Sequence, residues 1–155
     1  MLKGKKILLM FNRYVSCPLC NFRAYEIMQL YDSLANKQFV ILSVYESERN
    51  LLQQYAEQEK IPFMLIPDPE MTLYKQFKIQ KSWWKSFLGL FNRYNEKHSK
   101  GKDLFKHKYD RDGNLNRIGA DFLINEKGII DVAYYGKFVG DHLPVEAIRK
   151  WVGQE

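Results

Sequence analysis

Hydrophobic and polar positions divide this chain into short apolar runs and amphipathic stretches that alternate. A continuous apolar run of strand length predicts a strand buried on both faces, whereas apolar residues that recur every three or four positions predict a helix. Apolar runs predict five strands, at residues 6–12, 38–45, 63–66, 121–124 and 129–135. The last two flank Gly128, which can supply a turn residue, so they are expected to form a hairpin.

Amphipathic stretches lie between these runs and predict helices at residues 18–35, 47–59, 70–77 and 82–94, with a last helix beginning at Pro144. Residues 95–117 are polar and contain the turn sequence Asp112-Gly113-Asn114, so they are predicted to form a long loop. A βαβ half thus precedes a ββα half. That order predicts an α/β thioredoxin-like fold, a mixed central β-sheet flanked by helices with a basic-aromatic helical insertion. We expect one domain over residues 1–155, with the insertion at about 81–117.

Composition excludes several classes of protein. The 155 residues are 46% hydrophobic and 27% charged, which excludes a wholly disordered chain. The longest early apolar run, residues 7–11, is far short of the roughly 20 residues that a membrane-spanning helix needs. It is also too short for the apolar core of a signal peptide, so a cytoplasmic location is expected.

Positive charge is concentrated in one internal segment. Residues 75–117 hold 12 Lys and Arg but 4 Asp and Glu, whereas the remainder has 12 basic and 14 acidic residues. Aromatic residues are interleaved with these charges, and such a mixture can bind nucleic acid, an anionic membrane surface or a partner protein. The alternative is an insertion whose aromatic face packs on the domain or across a dimer. We expect this second arrangement, with Trp84, Phe87 and Phe91 buried and the lysines solvated.

The two cysteines, Cys17 and Cys20, have the C-x-x-C spacing of a redox motif and directly follow the first predicted strand. Pro18 suits the first position of a helix, which places Cys17 at the N-cap. Unpaired N–H groups and the helix dipole there favour a thiolate. We therefore expect Cys17 to be the more exposed nucleophile, with a pKa below 8.5, and Cys20 to be the resolving thiol within reach of a disulfide.

Other interpretations of the cysteine pair need different residues around it. Two inert buried cysteines remain an alternative. A zinc site would need four ligands, and the three histidines (His98, His107 and His142) show no paired spacing. Covalent haem requires histidine where Asn21 stands. No metal or cofactor is expected.

The sequence resembles the peroxiredoxin-like branch of the alkyl hydroperoxide reductase/thiol-specific antioxidant family, within the thioredoxin superfamily. The resemblance covers most of the chain and rests on five stretches: KILLMFNRYVSCPLCNFRAYEI (6–27), VILSVYES (40–47), FMLIPDPEMTLYKQF (63–77), GADFLINEKGII (119–130) and YYGKFVGDHLP (134–144). It implies a thioredoxin-like fold, a thiol-based oxidoreductase or antioxidant activity, and Cys17 as the reactive position.

The chain departs from that family's motifs at several positions. Peroxiredoxins carry Pro-x-x-x-Thr-x-x-Cys, but Met10 replaces the proline and Tyr14 the threonine, whose role the Tyr14 hydroxyl could take. Thioredoxins place Trp before the first cysteine, where this chain has Ser16. They also place a cis-proline where this chain has Gly119-Ala120, and a trans bond is expected there because a cis bond without proline costs about 2.5–4 kcal/mol.

Four charged or titratable residues are placed near the cysteines by this argument. Arg13 and Arg23 flank the pair, and either could lower the thiolate pKa or orient a substrate, although a solvated surface position is the simpler interpretation. Asp121 could relay protons, and His142 could face the same end of the sheet. The candidate catalytic residues are Cys17, Cys20, Tyr14 and Arg23.

The leading hypothesis is an enzyme, either a thiol–disulfide oxidoreductase or a thiol peroxidase, that works through a Cys17–Cys20 dithiol/disulfide cycle. Its partners would be a peroxide or disulfide substrate and an external thiol reductant, with a homodimer as an open alternative. Binding of nucleic acid and insertion into a membrane are not expected. The alternative hypothesis is a non-catalytic thioredoxin-fold module that binds a partner through the basic-aromatic insertion.

Overall fold

The computed structural model describes residues 2–34, 38–89, 94–105 and 107–153. Its elements in chain order are β1 (Lys6–Phe11), α1 (Pro18–Leu34), β2 (Phe39–Tyr45), α2 (Arg49–Gln58), β3 (Met64–Pro67), α3 (Thr72–Gln76), α4 (Trp83–Gly89), α5 (Tyr94–Leu104), β4 (Ala120–Ile124), β5 (Ile130–Tyr135) and α6 (Val145–Val152). Outside the insertion, the predicted bounds agree with these within two residues. In the described ranges, no helix is both long enough and apolar enough to cross a membrane.

The five strands form one mixed sheet in the order β3-β2-β1-β4-β5. β1 pairs in parallel with β2, and β2 with β3, whereas β4 runs antiparallel to both β1 and β5. Leu9 at the centre of β1 faces Leu42 on one side and Phe122 on the other. This mixed sheet with helices on its faces is the predicted thioredoxin-like fold, so the predicted fold class is confirmed.

Two apolar layers cover the sheet because the side chains of β1 point alternately to its two faces. Leu8 and Met10 join a layer with α1 and α6, which includes Ile27, Leu30, Ile148 and Val152. The opposite layer contains Ile7, Leu9 and Phe11 of β1. They pack with Tyr74 of α3 and with Phe77, which directly follows α3. The continuous apolar run of β1 therefore reflects burial on both faces, as the pattern predicted.

The prediction of a loop over residues 95–117 is wrong for its first part, where α5 forms a helix that packs along α1. The contact is made through Gly101, since a Cβ there would lie 1.8 Å from the Pro18 carbonyl oxygen. A helix that docks through a glycine needs no apolar stripe on that face. Because the sequence of α5 is polar and tertiary packing stabilises the helix, the hydrophobic pattern did not predict α5.

The domain does not bury the aromatic face of α4, so of the two predicted arrangements only packing across a dimer stays a prediction. Trp84 is 69% exposed and Phe87 is 52% exposed, and Phe91 lies outside the described residues. The helix contacts the domain at its other end, where Gly89 is buried and a Cβ on it would lie 2.7 Å from Val139 Cγ1. Docking through Gly89 leaves the bulky rings on the outer face.

Candidate active site

Several polar and sulfur-bearing residues meet at one edge of the sheet. The parallel strands β1 and β2 both end there, and the antiparallel β4 begins there. The residues that follow β1 lead to the two cysteines, those that follow β2 include Glu46, and Gly119 immediately precedes β4. The backbone N–H of Glu46 donates to the Arg13 carbonyl oxygen at 2.8 Å and joins the first two segments. This is the edge where α/β sheets commonly carry their functional residues.

The cysteine pair lies at the start of α1, which begins at Pro18, so Cys17 occupies the N-cap position. Both thiols are free. The backbone N–H of Cys20 donates to Cys17 Sγ at 3.4 Å, and the backbone N–H of Arg13 donates to Cys20 Sγ at 3.4 Å. Around the pair, the described residues hold no group of three or more His, Cys, Asp or Glu side chains able to bind a metal.

The two thiols differ in acidity. Burial raises the pKa of Cys17, but a hydrogen bond from the Cys20 thiol, the Arg13 charge and backbone N–H groups outweigh it and lower that pKa from 9.0 to about 6. The pKa of Cys20 is raised well above its ordinary value by burial, by the same thiol–thiol hydrogen bond and by the charge of Cys17. The arrangement therefore concentrates negative charge on Cys17 and keeps Cys20 protonated.

Cys17 is not the exposed thiol that the sequence predicted. It is 1% exposed and Cys20 is 3% exposed. The insertion covers the pair, since Gly101 of α5 presses on Pro18 and the rings of Phe105 and Tyr109 pack edge-on against the Tyr55 ring beside the cysteines. The burial is a tertiary effect of residues about 80 positions away in the sequence.

Two polar residues, Arg13 and Tyr14, lie beside the cysteine pair and are hydrogen-bonded to each other. The Arg13 guanidinium is buried, donates from Nη2 to the Tyr14 hydroxyl at 3.2 Å and from Nε to the Asn114 carbonyl oxygen at 3.4 Å. Burial raises the pKa of Tyr14 to about 12 against the opposing effect of Arg13, so its hydroxyl keeps its proton at neutral pH. The sequence favoured a solvated surface position for Arg13, but the fold buries Arg13, and its charge acts on Cys17.

Arg23 lies elsewhere. Its Nη2 contacts Asp121 Oδ2 at 3.3 Å and donates to the Leu143 carbonyl oxygen at 2.9 Å, and its Nη1 lies 3.6 Å from Glu26 Oε2. The ion pairs of Arg23 are thus made with Asp121 and Glu26, and its position is a buried structural one between α1 and β4. The prediction that it serves the cysteines receives no support from this placement.

Asp121 is the centre of that buried group. Its carboxylate accepts the Leu143 backbone N–H at 2.6 Å and lies 3.1 Å from His142 Nδ1. Burial raises its pKa, but His142, Arg23 and these hydrogen bonds outweigh burial and lower it. His142 fits here because Gly119 has no side chain: a Cβ there would lie 2.6 Å from His142 Cε1. The described peptide bonds include no cis bond, so the Gly119-Ala120 bond is trans as expected.

A second buried ion pair, which the sequence argument missed, holds the loop above Tyr14. Glu46 pairs with Arg117 Nε, and its other oxygen accepts the backbone N–H and side-chain amide of Asn114. Gly113 then lies so close that a Cβ on it would be 2.8 Å from Tyr14 Cδ1. The available signal was the acidic residue that directly follows the buried strand β2 in VYES, at the functional edge of the sheet.

These features define a thioredoxin-like protein with a dithiol at the start of its first helix. The chain belongs to the AhpC/TSA family, whose family model matches residues 1–133. The resemblance inferred from the sequence is therefore confirmed.

One curated relative, the peroxiredoxin Bcp of Bacillus subtilis, is 29% identical over 91 residues, which are 57% of this chain and 58% of that protein. The aligned part thus spans less than two thirds of the relative's length.

Similar solved structures share the fold at low sequence identity. PrxQ of Xylella fastidiosa, solved as a mutant, has a TM-score of 0.68 at 14% identity, covering 97% of this chain and 77% of that one. The bacterioferritin comigratory protein of Xanthomonas campestris, described for alkyl peroxide reduction, has a TM-score of 0.66 at 15% identity over 97% and 80%. StoA of Bacillus subtilis has a TM-score of 0.58 at 19% identity over 96% and 83%.

Proposed function

We propose that this chain is a thiol peroxidase in which Cys17 reduces a peroxide and Cys20 resolves the product. The observation that carries this proposal is the asymmetry of the dithiol: the pKa of Cys17 is lowered to about 6 at a helix N-cap beside Arg13, whereas that of Cys20 is raised. A thiolate is the attacking form of cysteine, so the lower pKa makes Cys17 the nucleophile and leaves Cys20 as the resolving thiol. Membership in the AhpC/TSA family supports the same chemistry.

The proposed reaction has three steps. The Cys17 thiolate attacks one peroxide oxygen and the O–O bond breaks, so that Cys17 becomes a sulfenic acid. The other oxygen takes a proton from solvent and leaves as an alcohol or water. Cys20 then gives up its proton and its sulfur attacks the Cys17 sulfur, so that a disulfide forms and the Cys17 hydroxyl leaves with that proton as water. Finally, two equivalents of an external thiol reduce the disulfide and are themselves oxidised.

Arg13 and Tyr14 are the groups proposed to hold the peroxide. The Tyr14 hydroxyl accepts a hydrogen bond from Arg13 Nη2, and its own proton is free to point at a peroxide oxygen near Cys17. A donor aimed at the oxygen where charge develops lowers the barrier. Tyr14 would thus replace the threonine of the peroxiredoxin motif.

Reaction at Cys17 needs a local opening, because a side chain that is 1% exposed cannot meet a peroxide. α5 is the element to move, since it lies on the first turn of α1 and contacts it through a glycine. Movement of α5 away from α1 would expose the C-x-x-C segment to solvent without disrupting the sheet. A cytoplasmic setting suits the proposed cycle, because its thiol pool re-reduces the disulfide.

Thiol–disulfide exchange is the second candidate function, and the short Cys17–Cys20 spacing favours it. An attacking and a resolving thiol within one helical turn can reduce a disulfide without a peroxide site. In this case Arg13 would still stabilise the Cys17 thiolate, but the Tyr14 hydroxyl would have no special role.

Single-turnover oxidation of the reduced chain tests the proposal. Wild type, Cys17→Ser and Cys20→Ser are mixed with hydrogen peroxide, an alkyl hydroperoxide or a small disulfide, and the products are followed by mass spectrometry with a sulfenic-acid trap. We expect Cys17→Ser to be inert and Cys20→Ser to accumulate a trapped sulfenic acid at the wild-type rate. A wild-type chain that reacts with the disulfide but with neither peroxide would replace the peroxidase by the exchange reaction.

A further inference from the structure

The outer face of α4 is an exposed aromatic surface, which we call the tryptophan surface and define by Trp83, Trp84 and Phe87. Trp83 is 67% exposed, close to the value for its neighbour Trp84. The rings of Trp84 and Phe87 stack with their centroids 6.3 Å apart. Large contiguous apolar patches on a folded domain commonly mark a site of interaction.

Lysines border this surface. Residues 75–89 contain Lys75, Lys78, Lys81 and Lys85 but no Asp or Glu. Three of these lysines line an open cavity of about 370 Å³, whose remaining walls are Met71, Tyr74, Ile79 and Arg117. Lys81, which lines the cavity, is joined to Arg117 by a β-bridge and precedes Trp83 by two residues, so the cavity lies beside the start of α4. The combined region presents positive charge and apolar rings side by side.

We propose that the tryptophan surface and its lysines dock this protein on an anionic phospholipid surface. Tryptophan rings favour the boundary between headgroups and acyl chains, since one part of the indole is apolar and its N–H is polar. Lysines near an anionic leaflet attract its headgroups, and the cavity between Lys75, Lys78 and Lys81 can receive a headgroup phosphate. Docking at a surface does not require insertion, which the sequence argues against.

The same observations disfavour two other occupants. A second copy placed across a two-fold axis would bring the four lysines of each segment 75–89 into one interface, and neither segment carries a carboxylate to offset them. Every basic residue of 75–89 is a lysine, whereas arginine is preferred for nucleic-acid contacts.

Vesicle binding by the full chain tests this proposal. Sedimentation with phosphatidylcholine vesicles is compared with sedimentation with vesicles that also contain phosphatidylglycerol, at low and high salt. We expect binding only to the anionic vesicles, a shift of tryptophan emission to shorter wavelength, and weaker binding at high salt. Removal of two lysines in Lys81→Gln/Lys85→Gln should weaken binding by about 30-fold, and Trp83→Ser/Trp84→Ser should weaken it by at least about tenfold.

Matched variants at the far end of the sheet separate the surface from general effects. Lys3→Gln/Lys127→Gln removes the same charge from exposed residues beside the start of β1 and the turn after β4. Ile129→Ser/Ile130→Ser removes two exposed apolar side chains, from the end of that turn and the start of β5. Both should keep at least half of the wild-type affinity, and circular dichroism with thermal unfolding shows that each variant is folded.

Three results would overturn the proposal. The first is no binding to anionic vesicles, or equal binding to neutral ones. The second is a loss of binding in the matched variants as large as in the surface variants. The third is binding of a single-stranded oligonucleotide, or self-association measured by sedimentation equilibrium, that depends on Trp83 and Trp84 while vesicles are ignored. None of these readouts depends on thiol chemistry, so failure of this proposal would leave the proposed peroxidase activity untouched, and the reverse also holds.

Discussion

Gly101 of α5 lies against Pro18, the residue between the proposed nucleophile and the rest of α1. A Cβ at Gly101 would lie 1.8 Å from the Pro18 carbonyl oxygen and 3.2 Å from Phe22 Cβ. The insertion thus contacts the C-x-x-C segment directly, and the only residue that allows this approach is one without a side chain.

Replacing that glycine should expose Cys17. Gly101→Ala would ordinarily strengthen a helix by about 1 kcal/mol, but here the methyl group collides with backbone and forces α5 away from α1. We expect alkylation of Cys17 by iodoacetamide at neutral pH to become about tenfold faster or more, as local opening becomes easier. Rates are measured by mass spectrometry on the reduced chain.

Gly153→Ala is the control for Gly101→Ala, because a Cβ at Gly153 meets its nearest neighbour at an ordinary 3.4 Å. Its Cys17 should react at the wild-type rate. An unchanged rate in Gly101→Ala would show that α5 does not limit access to the thiol.

Removal of the Arg13 charge should raise the pKa of Cys17. The guanidinium favours the thiolate, so Arg13→Gln is expected to move the pKa from about 6 upward toward the ordinary value of 9.0. The alkylation rate plotted against pH gives this pKa as its midpoint. Arg111→Gln removes a charge from an exposed residue of the loop between α5 and β4, and it should shift the midpoint less. Equal shifts in both variants would contradict a specific role for Arg13.

Loss of the Tyr14 hydroxyl should slow the peroxide step alone. If this hydroxyl donates to the peroxide, Tyr14→Phe is expected to reduce the rate of oxidation by hydrogen peroxide by at least about tenfold, as removal of one donor to a developing charge does in other enzymes. The rate of iodoacetamide alkylation should stay within a factor of two or so, because that reaction needs only the thiolate.

The comparison for Tyr14→Phe is Tyr25→Phe, which removes the same hydroxyl from an exposed ring on α1. Stopped-flow tryptophan fluorescence follows oxidation in all three proteins. Parallel loss of peroxide and iodoacetamide reactivity in Tyr14→Phe would assign the effect to the thiolate and remove the hydroxyl from the peroxide site.

The buried carboxylate of Asp121 should contribute to stability through Arg23 and His142. Asp121→Asn leaves a buried arginine without its countercharge, so the free energy of unfolding should fall by about 3–5 kcal/mol at neutral pH. Because the folded-state pKa of Asp121 lies below 3.8, this contribution is fully present above about pH 4 and is lost as the pH falls through the folded-state value.

Urea unfolding from pH 7 to pH 3 measures the difference between wild type and Asp121→Asn. That difference should be constant down to about pH 4 and shrink below it. Asp32→Asn, at an exposed position of α1, should cost little at any pH. A difference that grows as the pH falls would reverse the sign assigned to the Asp121 pKa.

Local patterns in the sequence determined the sheet, the flanking helices and the place of the dithiol, because strand and helix periodicities and the Pro18 signal depend on neighbouring residues. Tyr14 was likewise found by its distance from Cys17 along the chain. α5 could not be found in this way, since it packs through Gly101 and carries no apolar stripe. The hydrophobic pattern also could not predict that Trp84 is exposed, because the aromatic face of a helix can pack on the domain or face away from it.

Only the tertiary structure decided which charges serve the cysteines. Arg13 and Arg23 are equivalent in the sequence, four residues before Cys17 and three after Cys20. In the fold, Arg13 donates a hydrogen bond to the Tyr14 hydroxyl, whereas Arg23 forms an ion pair with Asp121. Asp121 lies in β4, about 100 residues further along the chain than Arg23. The burial of Cys17 has the same origin, since it depends on a helix that the chain adds some 80 residues further on. Contacts between distant segments leave no periodicity in the sequence, so charge pairing and access to the thiol are properties of the fold.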